Sequence, residues 1–191
     1  MIGIIFGPPG SGKGTQAARI EVDFHLDHLS TGDILRSEVA RGTETGKEVA
    51  RIMAAGDLVP DDLIIRIVQG ILRDPNVSSD VLLDGFPRTL EQARALDQML
   101  AEEGHRVDFV IALDVPENAL VDRILHRAAV EGRADDTREA IAERMHEYHK
   151  LTAAVLDYYR KKGVRVEVVD GVGDVDEVFE RIRRAIGISS R

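Results

Sequence analysis

The sequence predicts an α/β fold, a parallel sheet covered by helices on both faces. Five short runs, apolar throughout or nearly so, alternate with longer stretches of helical periodicity. Runs without the apolar–polar alternation of a half-exposed strand suit strands buried on both sides, which parallel sheets require. The first run stops abruptly at Gly7-Pro8-Pro9-Gly10, a strand-to-turn signal. No repeat, low-complexity tract or long linker divides the 191 residues, so one compact domain with helical insertions is expected over 1–191.

Taken in order, Met1 to Phe6 reads as a buried strand, and Gln16 to Phe24 is compatible with a helix. His25 to Leu29 fits a second strand, followed by Ser30, Thr31 and Asp33, residues suited to starting a helix. Ile34 to Arg73 is mostly helical, broken near Gly42 and again from Gly56 to Pro60, the pattern of several short helices. Val81 to Leu83 is an apolar triplet ending at Asp84 and Gly85. Thr89 to Glu103 is amphipathic, Val107 to Leu113 is another strand, and Pro116 can open a helix at its first turn. Helical pattern resumes from Asp136 through Lys162. Val164 to Val169 is the last strand and Val175 to Ile186 the last helix.

Composition narrows the function. Lys and Arg total 25 against 34 Asp and Glu, a net charge of −9, which argues against a surface for nucleic acid or anionic membrane. An anionic ligand must then be held by a local cluster. With no Cys, disulfides, thiolate metal sites and cysteine nucleophiles are excluded. No apolar run reaches the roughly 20 residues of a membrane span, and no basic segment precedes the first one, so a soluble cytoplasmic protein is expected. The positive charge is skewed, 20 Arg to 5 Lys, which fits either a base-composition bias or phosphate chemistry, since Arg forks match phosphate oxygens two at a time.

Gly7-Pro8-Pro9-Gly10-Ser11-Gly12-Lys13 is a G-x-x-x-x-G-K loop between a strand and a helix. Glycines there let backbone N–H groups converge on phosphate oxygens, the helix N-terminus adds partial positive charge, and Lys13 can bridge terminal phosphates. The next residue is Gly14 where the usual pattern has Ser or Thr, and the hydroxyl arrives at Thr15. Asp84, ending a buried strand, can supply the acidic group that orients magnesium, through water, or can simply cap its turn. Gly42-Thr43-Glu44-Thr45-Gly46-Lys47 looks like a second loop of this type, but no strand precedes it and a helix-starting turn is expected.

Four motifs in order, Gly7 to Gln16, Leu29-Ser30-Thr31-Gly32-Asp33, Asp84-Gly85-Phe86-Pro87-Arg88 and Arg133-Ala134-Asp135-Asp136, make the chain resemble the adenylate kinase family along its whole length. Gly14 is usual in that family. The resemblance implies a P-loop NTPase-type five-stranded parallel sheet flanked by helices, a helical monophosphate-binding insertion at 30–59 and a short lid at 126–132. It implies reversible transfer of a phosphoryl group from MgATP to AMP, giving two ADP. ATP would be held by Gly10, Ser11, Gly12, Lys13, Gly14, Thr15, Arg123, Arg127 and Gly173. AMP would be held by Thr31, Arg36, Asp57, Leu58, Val59, Gly85, Phe86, Pro87, Arg88, Gln92, Arg133 and Arg144, with Gln92 reading the adenine edge and a cis peptide at Phe86-Pro87. Lys13, Arg88, Arg123, Arg127, Arg133 and Arg144 would carry catalysis, because phosphoryl transfer needs positioning and charge neutralisation rather than a covalent intermediate.

Only Ala128 to Gly132 separates Arg127 from Arg133, so the lid resembles the short type, and no structural zinc is expected. His146 and His149 are three apart on a helix and are expected to be solvated; Arg181, Arg183 and Arg184 are expected on the surface. A pyrimidine monophosphate kinase of the same fold and a non-catalytic nucleotide switch remain as rivals. By the resemblance, Thr31 and Gln92 favour AMP over the first, and the missing Asn-Lys-x-Asp segment disfavours the second. Expected partners are ATP, AMP and ADP, with magnesium, and neither nucleic acid nor membrane; the resemblance suggests a monomer.

Overall fold

The structure, a computed structural model, describes residues 1–42, 44–55, 57–120, 123–124 and 137–187. Five strands pair in the order β2-β3-β1-β4-β5, with every pairing parallel. They are β1 (Ile2–Phe6), β2 (Asp27–Ser30), β3 (Val81–Asp84), β4 (Phe109–Asp114) and β5 (Arg165–Asp170). The helices are α1 (Lys13–Phe24), α2 (Thr31–Ala40), α3 (Glu44–Ala55), α4 (Asp61–Leu72), α5 (Leu90–Glu102), α6 (Arg138–Lys161) and α7 (Val175–Ile186). Residues 117–120, after Pro116, are also helical.

The two-residue period of a strand sorts the core into two layers. Ile2, Ile4 and Phe6 of β1 face one layer with Val81, Leu83, Val110 and Ala112; Leu35, Val49, Ile64, Val68, Leu96 and Val155 from α2 to α6 cover it. Ile5 faces the other layer with Leu82, Ile111 and Leu113, covered by Ala17 and Ile20 of α1 and Val178, Ile182 and Ile186 of α7. Covering on both faces is why these strands are apolar runs. Gly3 lies between the layers' requirements: a Cβ there would sit 2.2 Å from the Phe109 ring, its β4 partner. Glycine is demanded by the ring, not by backbone freedom.

Boundaries move where a polar residue or a glycine takes over the backbone. The helix read from Gln16 starts at Lys13, since Gly10 and Gly12, at φ 77 and 89, turn the chain straight into it. The strand read from His25 starts at Asp27. His25 takes a left-handed conformation, φ 58, past the end of α1, and Leu26 donates its N–H to the Glu21 carbonyl, 3.2 Å, before pairing begins. Of the second loop-like segment, Glu44 to Lys47 lies in a helix: α3 begins at Glu44, and Lys47 pairs with Glu44 at 2.6 Å. Among the described residues no helix is long and apolar enough to cross a membrane.

Parallel pairing places every strand's carboxyl end on one edge of the sheet. In register, Ser30 lies beside Asp84 and Asp114 beside Asp170. The loops that follow Phe6, Asp84 and Asp170 and the start of α2 after Ser30 therefore open together, the position where α/β sheets bind ligands.

Two measurements check this account. Gly3→Ala should lower stability by about 1–3 kcal/mol in denaturant unfolding, through overpacking against Phe109, and Phe109→Leu in the same chain should recover part of the loss. At the sheet's carboxyl edge, His28 Nε2 lies 3.4 Å from Asp84 Oδ2, an ion-pair contact. Burial alone would lower the His28 pKa, but the Asp84 carboxylate, with Glu21 and Asp33 beyond it, raises it above the ordinary 6.5. The protonated form is thus favoured by folding, so its stabilisation is complete below the ordinary pKa and is lost as pH rises through the raised one. Thermal midpoints measured from about pH 5.5 to about pH 8.5 should fall less in His28→Gln than in the unaltered protein.

Candidate functional site

A cleft of about 1030 Å³ opens along the sheet's carboxyl edge. Its centre is the loop between β1 and α1. Ser11 donates its N–H to the Pro8 carbonyl at 3.1 Å, closing the turn. Gly12 is the N-cap of α1 and supplies no side-chain cap, and the first helical turn holds no acid. The leading N–H groups of α1 are thus left for an anion, with the helix's positive end behind them. A Cβ at Gly10 would meet Ile124 at 2.6 Å and the Leu120 carbonyl at 3.0 Å, so the loop is seated on Leu120 and Ile124; around Gly12 and Gly14 a Cβ would meet nothing within 4 Å. Lys13 arches back over the loop, its Nζ donating to the carbonyls of Gly7, 2.8 Å, and Pro8, 3.1 Å. Ser11 is 3% exposed, and its hydroxyl lies beneath the loop, 2.5 Å from where a Gly7 Cβ would stand.

Among the described residues four arginines line the same cleft: Arg36, Arg88, Arg123 and Arg144. Arg88 folds back so that Nε donates to the Gly85 carbonyl at 2.8 Å. Gly85 permits this, with φ 82 and Thr31 Oγ1 only 2.7 Å from where its Cβ would be. Arg36 pairs with Asp33 at 2.6 Å, and Arg144 reaches from α6 to the Met53 carbonyl of α3 at 3.4 Å. Although Arg88 reaches water through the open cleft, it stands deep between the walls. Desolvation lowers its pKa and so do Arg144 and Arg36, with Asp84 opposing. Like charges held this close are stabilised by an anion entering between them.

Asp84 is 8% exposed at the end of β3, and its carbonyl accepts the Thr31 hydroxyl proton at 3.1 Å. Among the described residues no three acidic or histidine side chains gather as a metal cage. One carboxylate facing a phosphate loop fits magnesium, which keeps most of its waters and takes its other ligands from phosphates.

The cleft has two ends. At one, Thr31, Leu35, Met53, Val59 and Ile64 form an apolar wall with Gln92 set in it, and Asp57, Leu58 and Gly85 border it. At the other, Gly171, Gly173, Val175 and Val178 meet Gln16 and Thr15. Gly173 has φ 130, and Arg181, expected merely on the surface, clasps that turn by donating to the Asp170 carbonyl at 2.9 Å and to Val172. Phe86 and Pro87 do not line the cleft: Phe86 is fully buried in the core beneath it, and the Phe86-Pro87 peptide is cis. Arg127, Arg133 and the 126–132 segment lie outside the described residues.

Sequence reading missed several cleft residues. Glu147, Tyr148, Leu151 and Thr152 join Arg144 along one face of α6, at the three- and four-residue spacing that would have found them. The Tyr148 pKa is pushed up to about 12 by burial and then by Asp114, so it stays a neutral donor. His149 points off that face to Glu117 at 2.9 Å. His28, also in the lining, was missed, as was Asp61 behind it. Asp61 holds Gln92 and Thr89 from behind, at 2.6 Å and 2.7 Å.

Comparison with known proteins agrees with the geometry. Residues 5–164 match the family described as Adenylate kinase. The chain is 50% identical over 185 residues to an adenylate kinase of Thermus thermophilus, covering 97% of this chain and 96% of that protein. It is 47% identical over 183 residues to one from Stenotrophomonas maltophilia, covering 96% and 97% respectively. Since that match runs from within β1 to the residue before β5, and the relatives align over nearly their whole length, the chain belongs to the adenylate kinase family.

Proposed function

We propose that the chain transfers the terminal phosphoryl group of MgATP reversibly to AMP, giving two ADP, with the phosphate loop and the arginines as its working parts. The observation that carries this reading is one cleft that gathers, among the described residues, the phosphate loop with Lys13, four arginines, the Thr31–Gln92 wall and the Gly171–Gly173 turn. A donor and an acceptor entering from opposite ends bring their phosphates together over the loop.

On this reading Gly10 to Thr15 cradle the donor phosphates, Gly173 meets its base, and Arg123 and Arg127 hold its phosphate chain. Thr31, Asp57 to Val59, Gly85 to Arg88 and Gln92 form the acceptor site, with Arg36 on its phosphate. Phe86 and Pro87 contribute by holding Gly85 and Arg88 in place. Arg133 and Arg144 bridge towards the transferred group, and Asp84 is the carboxylate that would orient magnesium, through water. Lys13, whose ammonium rests on two carbonyls, exchanges them for phosphate oxygens. No covalent intermediate is required: in-line placement and neutralised oxygen charge carry the step. Water must be kept from the transferred group, so the 30–59 segment and the 126–132 lid close over the two nucleotides. The chain works as a single kinase domain without structural zinc, as a monomer in the cytoplasm, and without binding nucleic acid or membrane.

Three measurements test this. A coupled assay of ADP formation from ATP with AMP, UMP, CMP or GMP should favour AMP; equal rates with UMP or CMP would overturn the acceptor assignment. Lys13→Met and Arg88→Ala should each lose about 10²–10⁴-fold in kcat while melting as folded proteins. Scattering from the chain with a bisubstrate analogue should report a smaller radius of gyration than without it, and an unchanged radius would rule out closure.

A further inference from the structure

We propose that Asp61 sets the choice between amino and keto purines at the acceptor site by fixing the direction of the Gln92 amide; the inference rests on the reading of the Thr31–Gln92 end of the cleft as the AMP site. Asp61 opens α4 and is not among the residues that line the cleft. Its two oxygens are both engaged. Oδ1 accepts from Gln92 Nε2 at 2.6 Å, and Oδ2 accepts from the Thr89 hydroxyl at 2.7 Å, which keeps the carboxylate from turning. On the other side, Arg88 donates its backbone N–H to Gln92 Oε1 at 2.7 Å. Gln92 itself is 3% exposed.

These partners leave the amide one orientation. A carboxylate only accepts and a backbone N–H only donates. Turning the amide over would set oxygen against carboxylate and N–H against N–H in a buried place, losing two hydrogen bonds and leaving four groups in conflict. Of the two N–H groups and two lone pairs a Gln amide carries, one of each is used, and one of each is left.

That remaining donor and acceptor have a fixed order. The edge of adenine offers a bare ring nitrogen beside an amine, acceptor then donor. The edge of hypoxanthine or guanine offers a ring N–H beside a keto oxygen, the reverse. An amide free to turn over pairs with either edge, so the presence of Gln92 alone does not discriminate. The direction does, and Asp61 is the positioning residue that imposes it, with the Arg88 N–H as its counterpart.

The test uses the full-length enzyme with saturating MgATP and with AMP or inosine monophosphate as acceptor. Asp61→Ala should lower the AMP to inosine monophosphate ratio of kcat/KM about tenfold, through a higher KM for AMP, while kcat at saturating AMP and the KM for ATP stay within about twofold. Asp61→Asn, which can offer either an oxygen or an N–H to Gln92, should fall between it and the unaltered enzyme. An unchanged ratio in folded Asp61→Ala overturns the proposal, as does a general loss of kcat and thermal midpoint with the ratio preserved. If Asp61→Ala does not fold, Asp61→Asn decides, and an unchanged ratio there is equally fatal. Gln92→Ala separates the premise: if it keeps the full preference for AMP, the acceptor-site reading itself fails, and the role of Asp61 with it.

Discussion

Gathering positive charge into one cleft opposes folding unless something offsets the repulsion, and here backbone carbonyls supply part of the offset. Lys13 rests on two loop carbonyls, Arg88 on the Gly85 carbonyl and Arg144 on the Met53 carbonyl, and Arg36 pairs with the Asp33 carboxylate. Carbonyl dipoles hold a cation more weakly than a full negative charge does, so each contact can be given up when phosphate arrives. A net charge of −9 is compatible with an anionic substrate because what the ligand meets is the local set of Lys13 and the cleft arginines, not the chain's overall balance. The ambiguity in the 20 to 5 ratio of Arg to Lys resolves by position: a few arginines converge on the cleft, and others, such as Arg66 and Arg160, sit in exposed pairs of small energetic value.

The sheet makes that convergence possible. Ser30, Asp84 and the phosphate loop are far apart in the chain, yet parallel register brings the ends of β2, β3 and β1 side by side. The helical segment between β2 and β3 returns across the cleft, and Arg144 ties it to α6 through Met53. A few hydrogen bonds between walls of this kind are a weak tether, which suits parts that must move toward one another.

Much of this was legible from residues alone, and the limits follow from physics. The strands could be read because burial on both faces leaves an apolar run, and the loop because glycine spacing and Lys13 are local. The beginnings of α1 and β2 were misplaced because Gly10, Gly12 and His25 decide them through backbone conformation, which an apolar pattern does not record. The apolar spacing along α6 did not extend to Tyr148, whose value lies in facing the cleft rather than the core. Asp61, Thr89 and Gln92 make contacts across 28 and 31 residues of chain, and a polar network of that span has no periodicity to betray it.

The glycines of the phosphate loop fall into two kinds. At Gly7 and Gly10 a side chain would strike the protein itself, Ser11 in one case and Ile124 in the other. At Gly14, in the first turn of α1, a methyl group would meet open space. Alanine within a helix is generally more stabilising than glycine by roughly 0.5–1 kcal/mol. Folding alone would therefore prefer alanine at Gly14, and on the reading proposed above the open space there belongs to the donor phosphates. Selection for a sturdier protein and selection for a faster one pull in opposite directions at that single carbon, and a chain released from its catalytic duty would be free to drift there toward greater stability.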